Sequence, residues 1–133
     1  MPLVDFIWKP TESIKLRTEH NFRFKYVSKI IVEKQLKLLL RHKATGIDDL
    51  PSNLLKGSAS LIAGPIANII NLSQKTGKIP HEWKIAIVNP LHKSGDKSSY
   101  DNYRPISILP VISKIMEKAV NTQLIEFSKV IIY

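Results

Sequence analysis

The chain has 133 residues, 44% of them hydrophobic, and sets 20 Lys and Arg against 11 Asp and Glu for a formal charge of +9. This length suits one domain with its own core, the apolar content excludes wholesale disorder, and the basic balance favours a polyanionic partner without naming it. The absence of cysteine excludes a disulfide framework and thiolate metal sites and fits an intracellular chain, cytoplasmic or nuclear. No apolar run reaches the ~18 to 20 residues of a membrane span, and Met1 to Pro10 lacks the basic-then-apolar order of a signal peptide.

Residues 1–21 keep no sustained period and read as a loosely ordered N-terminal arm. Phe22, Phe24 and Tyr26 then alternate with Arg23 and Lys25, the pattern of a short, half-buried extended segment, and Ser28 is placed to cap a helix. Lys29 to Arg41, free of Gly and Pro, predicts a helix with Lys29, Glu33, Lys37 and Arg41 as its polar stripe. Ile30, Ile31, Leu38 and Leu39 face elsewhere, so most of this helix is expected to be buried. "HKATGIDDLP" breaks the chain, with Asp48 or Asp49 available to cap the next helix.

A second helical region is expected over about Ser52 to Thr76, divided at Gly57 and again at Gly64-Pro65. Ile62, Ile66, Ile69, Ile70 and Ser73 keep helical spacing in its longer piece, and Gly77 suits a C-terminal cap. "IPHEWK" brings Trp83 into the core. "KIAIVNPLHK" reads as a strand, with Pro90 at an edge or bulge, and "RPISIL" as its returning partner. The intervening Ser94 to Tyr103 is long for a hairpin loop and polar enough to be mobile and solvated. From about Pro110 to Phe127 a further helix carries Ile112, Ile115, Met116, Ala119, Leu124 and Phe127, and the terminal "VIIY" reads as a strand without a partner. The inventory is α+β, mainly helical with one β-hairpin. A lone hairpin is marginal, which suggests part of a larger fold.

Little here supports catalysis. His20, His42, His81 and His92 lack ligand spacing, and the nucleophile-elbow, P-loop and dinucleotide fingerprints are absent. No catalytic or metal residue is expected, and the Asn71-Leu72-Ser73 sequon carries little weight without a secretory signal. The hairpin differs. Lys93 closes one strand and Arg104 opens the next, so pairing sets both cations on one side of the mouth, where phosphate oxygens would suit them. The alternative is a basic loop that is merely solvated. Tyr100 and Tyr103, interleaved with cations such as Lys97, suit base stacking or serve to pin the loop to the hairpin.

"KATGIDDLP", followed by "NLSQKTGKIPHEWKIAIVNPLHKSGDKSSYDNYRPISILPVISKIMEKAV", resembles the fingers and early palm of the reverse transcriptases of non-LTR (LINE-type, jockey-like) retrotransposons. The resemblance covers roughly Phe22 to Phe127 in the family's order. It implies an RNA-directed DNA polymerase with a right-hand fold, whose partners are an RNA template, a DNA primer and a dNTP. Residues 22–133 would form the N-terminal, fingers part of that domain. Carried over from the family, Lys93 and Arg104 contact the triphosphate of the incoming nucleotide, with Arg104 also packing on its base. Lys43, in the first block, carries over as a nucleic-acid contact. Lys114 and Glu117 fall on the helix behind the fingers, where a surface pair is expected.

The family's two catalytic metals, Mg2+ in the full-length enzyme, are held by aspartates from a later apolar strand and a Tyr/Phe-Ala-Asp-Asp turn. Neither motif is in this sequence. The expectation is therefore a fragment that lacks palm and thumb, needs no cofactor of its own and is inactive alone. The alternative is a host-retained basic module that binds nucleic acid or protein without catalysis.

Overall fold

The computed structural model describes residues 20–42 and 44–132, so the expected arm over 1–21 lies almost wholly outside the described residues. In chain order the elements are α1 (Lys29–Lys37), α2 (Ser52–Gly57), α3 (Ala59–Thr76), β1 (Ile87–His92), β2 (Tyr103–Ile108) and α4 (Val111–Ile132), with single 3-10 turns at His81–Lys84 and Tyr100–Asn102. The described fold is thus α+β, with β1 and β2 forming one antiparallel two-stranded sheet.

Ser28 caps α1 as expected, its hydroxyl accepting the Ile31 N–H at 3.4 Å. The helix stops at Lys37 rather than Arg41. The Leu38 N–H closes on the Lys34 carbonyl, and the Lys56 ammonium donates to the Leu39 carbonyl at 3.3 Å. A cation from α2 thereby takes a carbonyl that another helical turn would have used. Burial of most of α1 is also corrected. Val32 and Leu36, one turn apart, are buried, whereas Ile30 and Leu38 are 77% and 61% exposed.

The second helical region divides at Ser58 only; Pro65 lies inside α3 without breaking it. Gly64 explains the tolerance, because without a Cβ it relieves the clash between a prolyl ring and the preceding residue. The Leu61 carbonyl, whose helical donor Pro65 lacks, belongs to a residue 79% exposed, open to the solvent that can take the place of the lost bond. Gly77 ends the helix in the left-handed conformation, φ +69°, as its position suggested. Three alanines of α3, Ala59, Ala63 and Ala67, are buried beside Ile66 and Ile70. Their small side chains let α1 come close, and α3 is the helix on which α1 chiefly packs. Leu55, Val111, Ile115 and Met116 complete the core, with Trp83 half-buried against it.

The segment before α1 is held in an unexpected way. It forms no ladder with another strand; two side-chain amides take the place of one. The Asn71 amide accepts the Val27 N–H and donates to the Val27 carbonyl, both at 2.8 Å. Gln123 treats Lys25 likewise, at 2.6 and 3.2 Å. Backbone groups that a neighbouring strand would have paired are so satisfied by α3 and α4. The expected alternation is not kept: Val27 is buried and Phe22 half-buried against Phe127, while Arg23, Phe24, Lys25 and Tyr26 are all exposed. Because Asn71 Nδ2 also donates to the Ala67 carbonyl, the nitrogen of the sequon is already committed.

Two further expectations are corrected. Neither Asp48 nor Asp49 caps α2, whose N-cap is Pro51 without a side-chain bond. Asp48 accepts the Leu50 N–H at 3.4 Å, and Asp49 occupies the left-handed region at φ +50°. The terminal "VII" continues α4 instead of forming a strand, since Leu124, Phe127 and Ile131 extend a helical period.

Gly46 fixes how the loop after α1 meets the rest. A Cβ there would lie 2.5 Å from Pro110 N and 2.7 Å from Pro110 Cα. Only a glycine lets these two backbones touch, and their contact sets the "KATGIDDLP" loop against the junction of β2 and α4.

Candidate functional site

The hairpin pairs Ile87 with Ile108, Asn89 with Ile106, Pro90 with Pro105, Leu91 with Arg104 and His92 with Tyr103. The Lys93 N–H donates to the Asn102 carbonyl at 2.7 Å, one step beyond the last pair. Antiparallel ladders alternate bonded and non-bonded pairs, so the bonded pairs fall at residues 87, 89, 91 and 93. The Pro90–Pro105 pair is then non-bonded, and each ring nitrogen faces an outer edge where the ladder needs no donor. Proline at the middle of both edges also blocks a further strand from pairing there.

The same register divides the side chains between two faces. One face carries Ile87, Leu91, Ile106 and Ile108 with Asn89, then Arg104 at its end; Lys93, two residues past Leu91, continues its alternation. Ile87, Leu91 and Ile106 are 43%, 56% and 44% exposed. An apolar strip therefore leads to two cations at the hairpin mouth. Lys93 and Arg104 are both exposed and, among the described residues, make no ion pair or side-chain hydrogen bond. The opposite face holds Val88, Pro90, His92, Tyr103, Pro105 and Ser107.

The loop between the strands is exposed, in keeping with a solvated segment, yet its residues are tied together. Asp96 organises it. Its carboxylate accepts the Ser98 N–H at 3.0 Å and the Ser98 hydroxyl at 2.7 Å, and its carbonyl accepts from the Asn102 amide at 2.8 Å. The Ser98 N–H, and then its hydroxyl, hold the Asp96 carboxyl below the usual carboxylate range. Gly95 turns the chain at φ +85°, and His92 Nε2 meets the Gly95 carbonyl at 3.1 Å.

Tyr103 donates its hydroxyl to the Lys97 carbonyl at 2.9 Å and sets its ring edge-on to His92 at 5.2 Å. It therefore pins the loop and fixes the backbone that carries Lys97, while Lys97 itself is exposed. Tyr100, 94% exposed, has the free aromatic face. Lys43 lies outside the described residues. Lys114 and Glu117 do not form the expected pair, and Lys114 is half-buried. Asp96 and Asn102, the organisers of the loop, escaped the sequence reading, although Asp-x-Ser is a legible side-chain turn.

Among the described residues no three His, Asp or Glu gather in a group that would hold a metal ion. The donor set present does not fit the carboxylate-held metal pair of a polymerase. Nor is any described helix long and apolar enough to cross a membrane.

Fold and site together define a basic α+β segment with two exposed cations at a hairpin mouth. The chain is 29% identical over 100 residues to the probable RNA-directed DNA polymerase from transposon X-element of Drosophila melanogaster, covering 74% of this chain and 10% of that protein. It is 31% identical over 94 residues to the probable RNA-directed DNA polymerase from transposon BS of the same fly, covering 70% and 10%. Against the RNA-directed DNA polymerase from mobile element jockey, identity is 33% over 84 residues, covering 62% and 9%. No family model matches the chain. The chain is thus a homologue of the RNA-directed DNA polymerases of non-LTR retrotransposons, and it spans about a tenth of the length of these curated relatives.

Proposed function

We propose that residues 22–133 are the fingers portion of a right-hand reverse transcriptase, and that the hairpin mouth receives the triphosphate of an incoming dNTP. The observation that carries this reading is the register, which sets Arg104 and the continuation to Lys93 on one face beyond an apolar strip. Arg104 supplies a planar fork for phosphate oxygens and a surface for a base, and Lys93 supplies a mobile point charge. The strip of Ile87, Leu91 and Ile106 offers apolar contact to what lies between the cations and the core.

Template RNA and primer DNA would lie beside the hairpin, with Lys43 and Lys97 as phosphate contacts and Tyr103 acting by holding Lys97 in place. Binding of this kind weakens steeply with salt, because each neutralised phosphate releases condensed counterions. Catalysis is assigned to no residue of this chain. In the full-length family enzyme Mg2+ would be held by palm carboxylates, and the 133-residue chain alone binds without polymerising. This reading goes with a cytoplasmic or nuclear place of action.

The test is a pair of double variants. Lys93→Ala with Arg104→Ala should weaken dNTP binding, whereas Lys75→Ala with Lys129→Ala should leave it unchanged. Equal loss from both pairs would favour a general basic module over a nucleotide site.

A further inference from the structure

The loop at the hairpin tip is built from two consecutive turns. The Ser99 N–H donates to the Asp96 carbonyl at 3.3 Å, and the Asn102 N–H donates to the Ser99 carbonyl at 3.2 Å. Lys97 and Tyr100 therefore hold the same place in their turns, the first corner after the accepting carbonyl. Both are exposed, Tyr100 to 94%.

The side chains that tie the loop together are those around these two. Ser98 bonds to the Asp96 carboxylate, the Asn102 amide to the Asp96 carbonyl, and the Tyr103 hydroxyl to the Lys97 carbonyl. Among the described residues, the Lys97 ammonium and the Tyr100 ring and hydroxyl take part in no such bond. The loop thus holds in place two side chains that it does not use itself, and a ligand that meets them does not bear the entropy of ordering it. The sequence offers Tyr100 and Tyr103 the same two roles. The bond from Tyr103 to Lys97 separates them, because Tyr103 pins the loop and Tyr100 keeps an open aromatic face.

We infer that Tyr100 and Lys97 form a stacking platform for an unpaired base of a single-stranded nucleic acid, the ring taking the base and the ammonium an adjoining phosphate. The inference rests on the reading of the hairpin as a polymerase fingertip and names the side chain that meets the single strand. An aromatic face near a cation suits such a strand, since every base has a π-face and every nucleotide a phosphate. A protein partner is the poorer fit: from Lys93 to Asn102 no other aromatic and no aliphatic residue accompanies Tyr100. The platform is separate from the triphosphate site, for Tyr100 lies beyond the Lys93–Asn102 bond and Arg104 on the strand side of it. Asp101, exposed next to Tyr100, repels phosphate and leaves the Lys97 side as the path of the backbone.

The test is fluorescence anisotropy of a labelled short oligoadenylate with the full chain at low salt. Tyr100→Ala should weaken binding about fivefold or more, and Tyr100→Phe or Tyr100→Trp should restore it, because stacking needs only the ring. The slope of log affinity against log salt should be unchanged by Tyr100→Ala and should fall by about 0.7 in Lys97→Ala, which removes one phosphate contact. An abasic oligomer of the same length should bind the wild type and Tyr100→Ala alike. Circular dichroism checks that each variant folds. A parallel dNTP titration separates this platform from the hairpin mouth: Tyr100→Ala should leave dNTP binding within about twofold, because the stacking lost is not made by the triphosphate. No oligoadenylate binding by the wild type, binding indifferent to Tyr100→Ala, or the same loss with the abasic oligomer would each overturn the platform, whatever the dNTP titration shows of the mouth.

Discussion

Replacing Gly46 by alanine tests how the loop after α1 is fastened to the junction of β2 and α4. The added Cβ would sit 2.5 Å from Pro110 N, whereas ordinary contact begins at 3.4 Å, so the two backbones must part by about 0.9 Å. The obstructing atoms are backbone, which cannot swing aside as a side chain would. Overpacking of this kind costs about 1–3 kcal/mol, and the upper end applies because Pro110 is fully buried at the start of α4. With a urea m-value of roughly 1–3 kcal/mol/M, a loss of about 3 kcal/mol lowers the unfolding midpoint by about 1 M or more. Gly57→Ala is the control. A Cβ there meets nothing within 4 Å, and alanine in a helix should be neutral or stabilise by up to about 1 kcal/mol. Equal midpoints for the two variants, measured by circular dichroism, would refute the contact.

Further outcomes follow from the clasp, the hairpin edges and the loop. Asn71→Ala removes both bonds to Val27 and leaves a part-buried N–H and carbonyl unpaired, costing about 2–3 kcal/mol; amide exchange should quicken at Val27, and unchanged exchange would contradict the clasp. Pro90→Val with Pro105→Val restores a donor to the middle of each outer edge and should raise the average mass in sedimentation equilibrium through edge pairing; an unchanged mass would show that the prolines do not guard the edges. Asp96 should titrate below its ordinary value of 3.8. Because the folded carboxyl is the stronger acid, its contribution to loop order is complete above that pH and disappears as pH falls through the lowered value. NMR of Ser98 followed down in pH reads this directly, and Asp96→Asn should abolish the transition.

Local chemistry made the hairpin, the Ser28 cap, the Gly77 cap and the helical character of most of the chain legible in the sequence. Each depends on residues within a few positions of one another, where spacing and turn propensity decide. What escaped depends on distant partners. The early end of α1 depends on Lys56, seventeen positions from the carbonyl that it takes. The extended segment at Val27 depends on Asn71, 44 positions away, and Lys25 on Gln123, 98 away. Polar side chains that serve as a surrogate strand leave no periodic trace. Pro65 misled for the opposite reason: the break it usually causes was cancelled by its neighbour Gly64. Spacing alone placed Lys93 and Arg104 at the two flanks of the loop, as the register has them, but the loop-pinning bond of Tyr103 needed the fold.

The central claim is that the hairpin mouth is a triphosphate site rather than one basic patch among several. Equilibrium binding of a fluorescent dNTP to the full chain at low salt, with the two double variants in parallel, tests it most directly. The account predicts that Lys93→Ala with Arg104→Ala weakens binding at least tenfold, consistent with the loss of two charge-assisted contacts at about 1.4 kcal/mol per factor of ten, while Lys75→Ala with Lys129→Ala leaves it within about twofold. No dNTP binding by the wild-type chain, or the same loss in both variants, would contradict it.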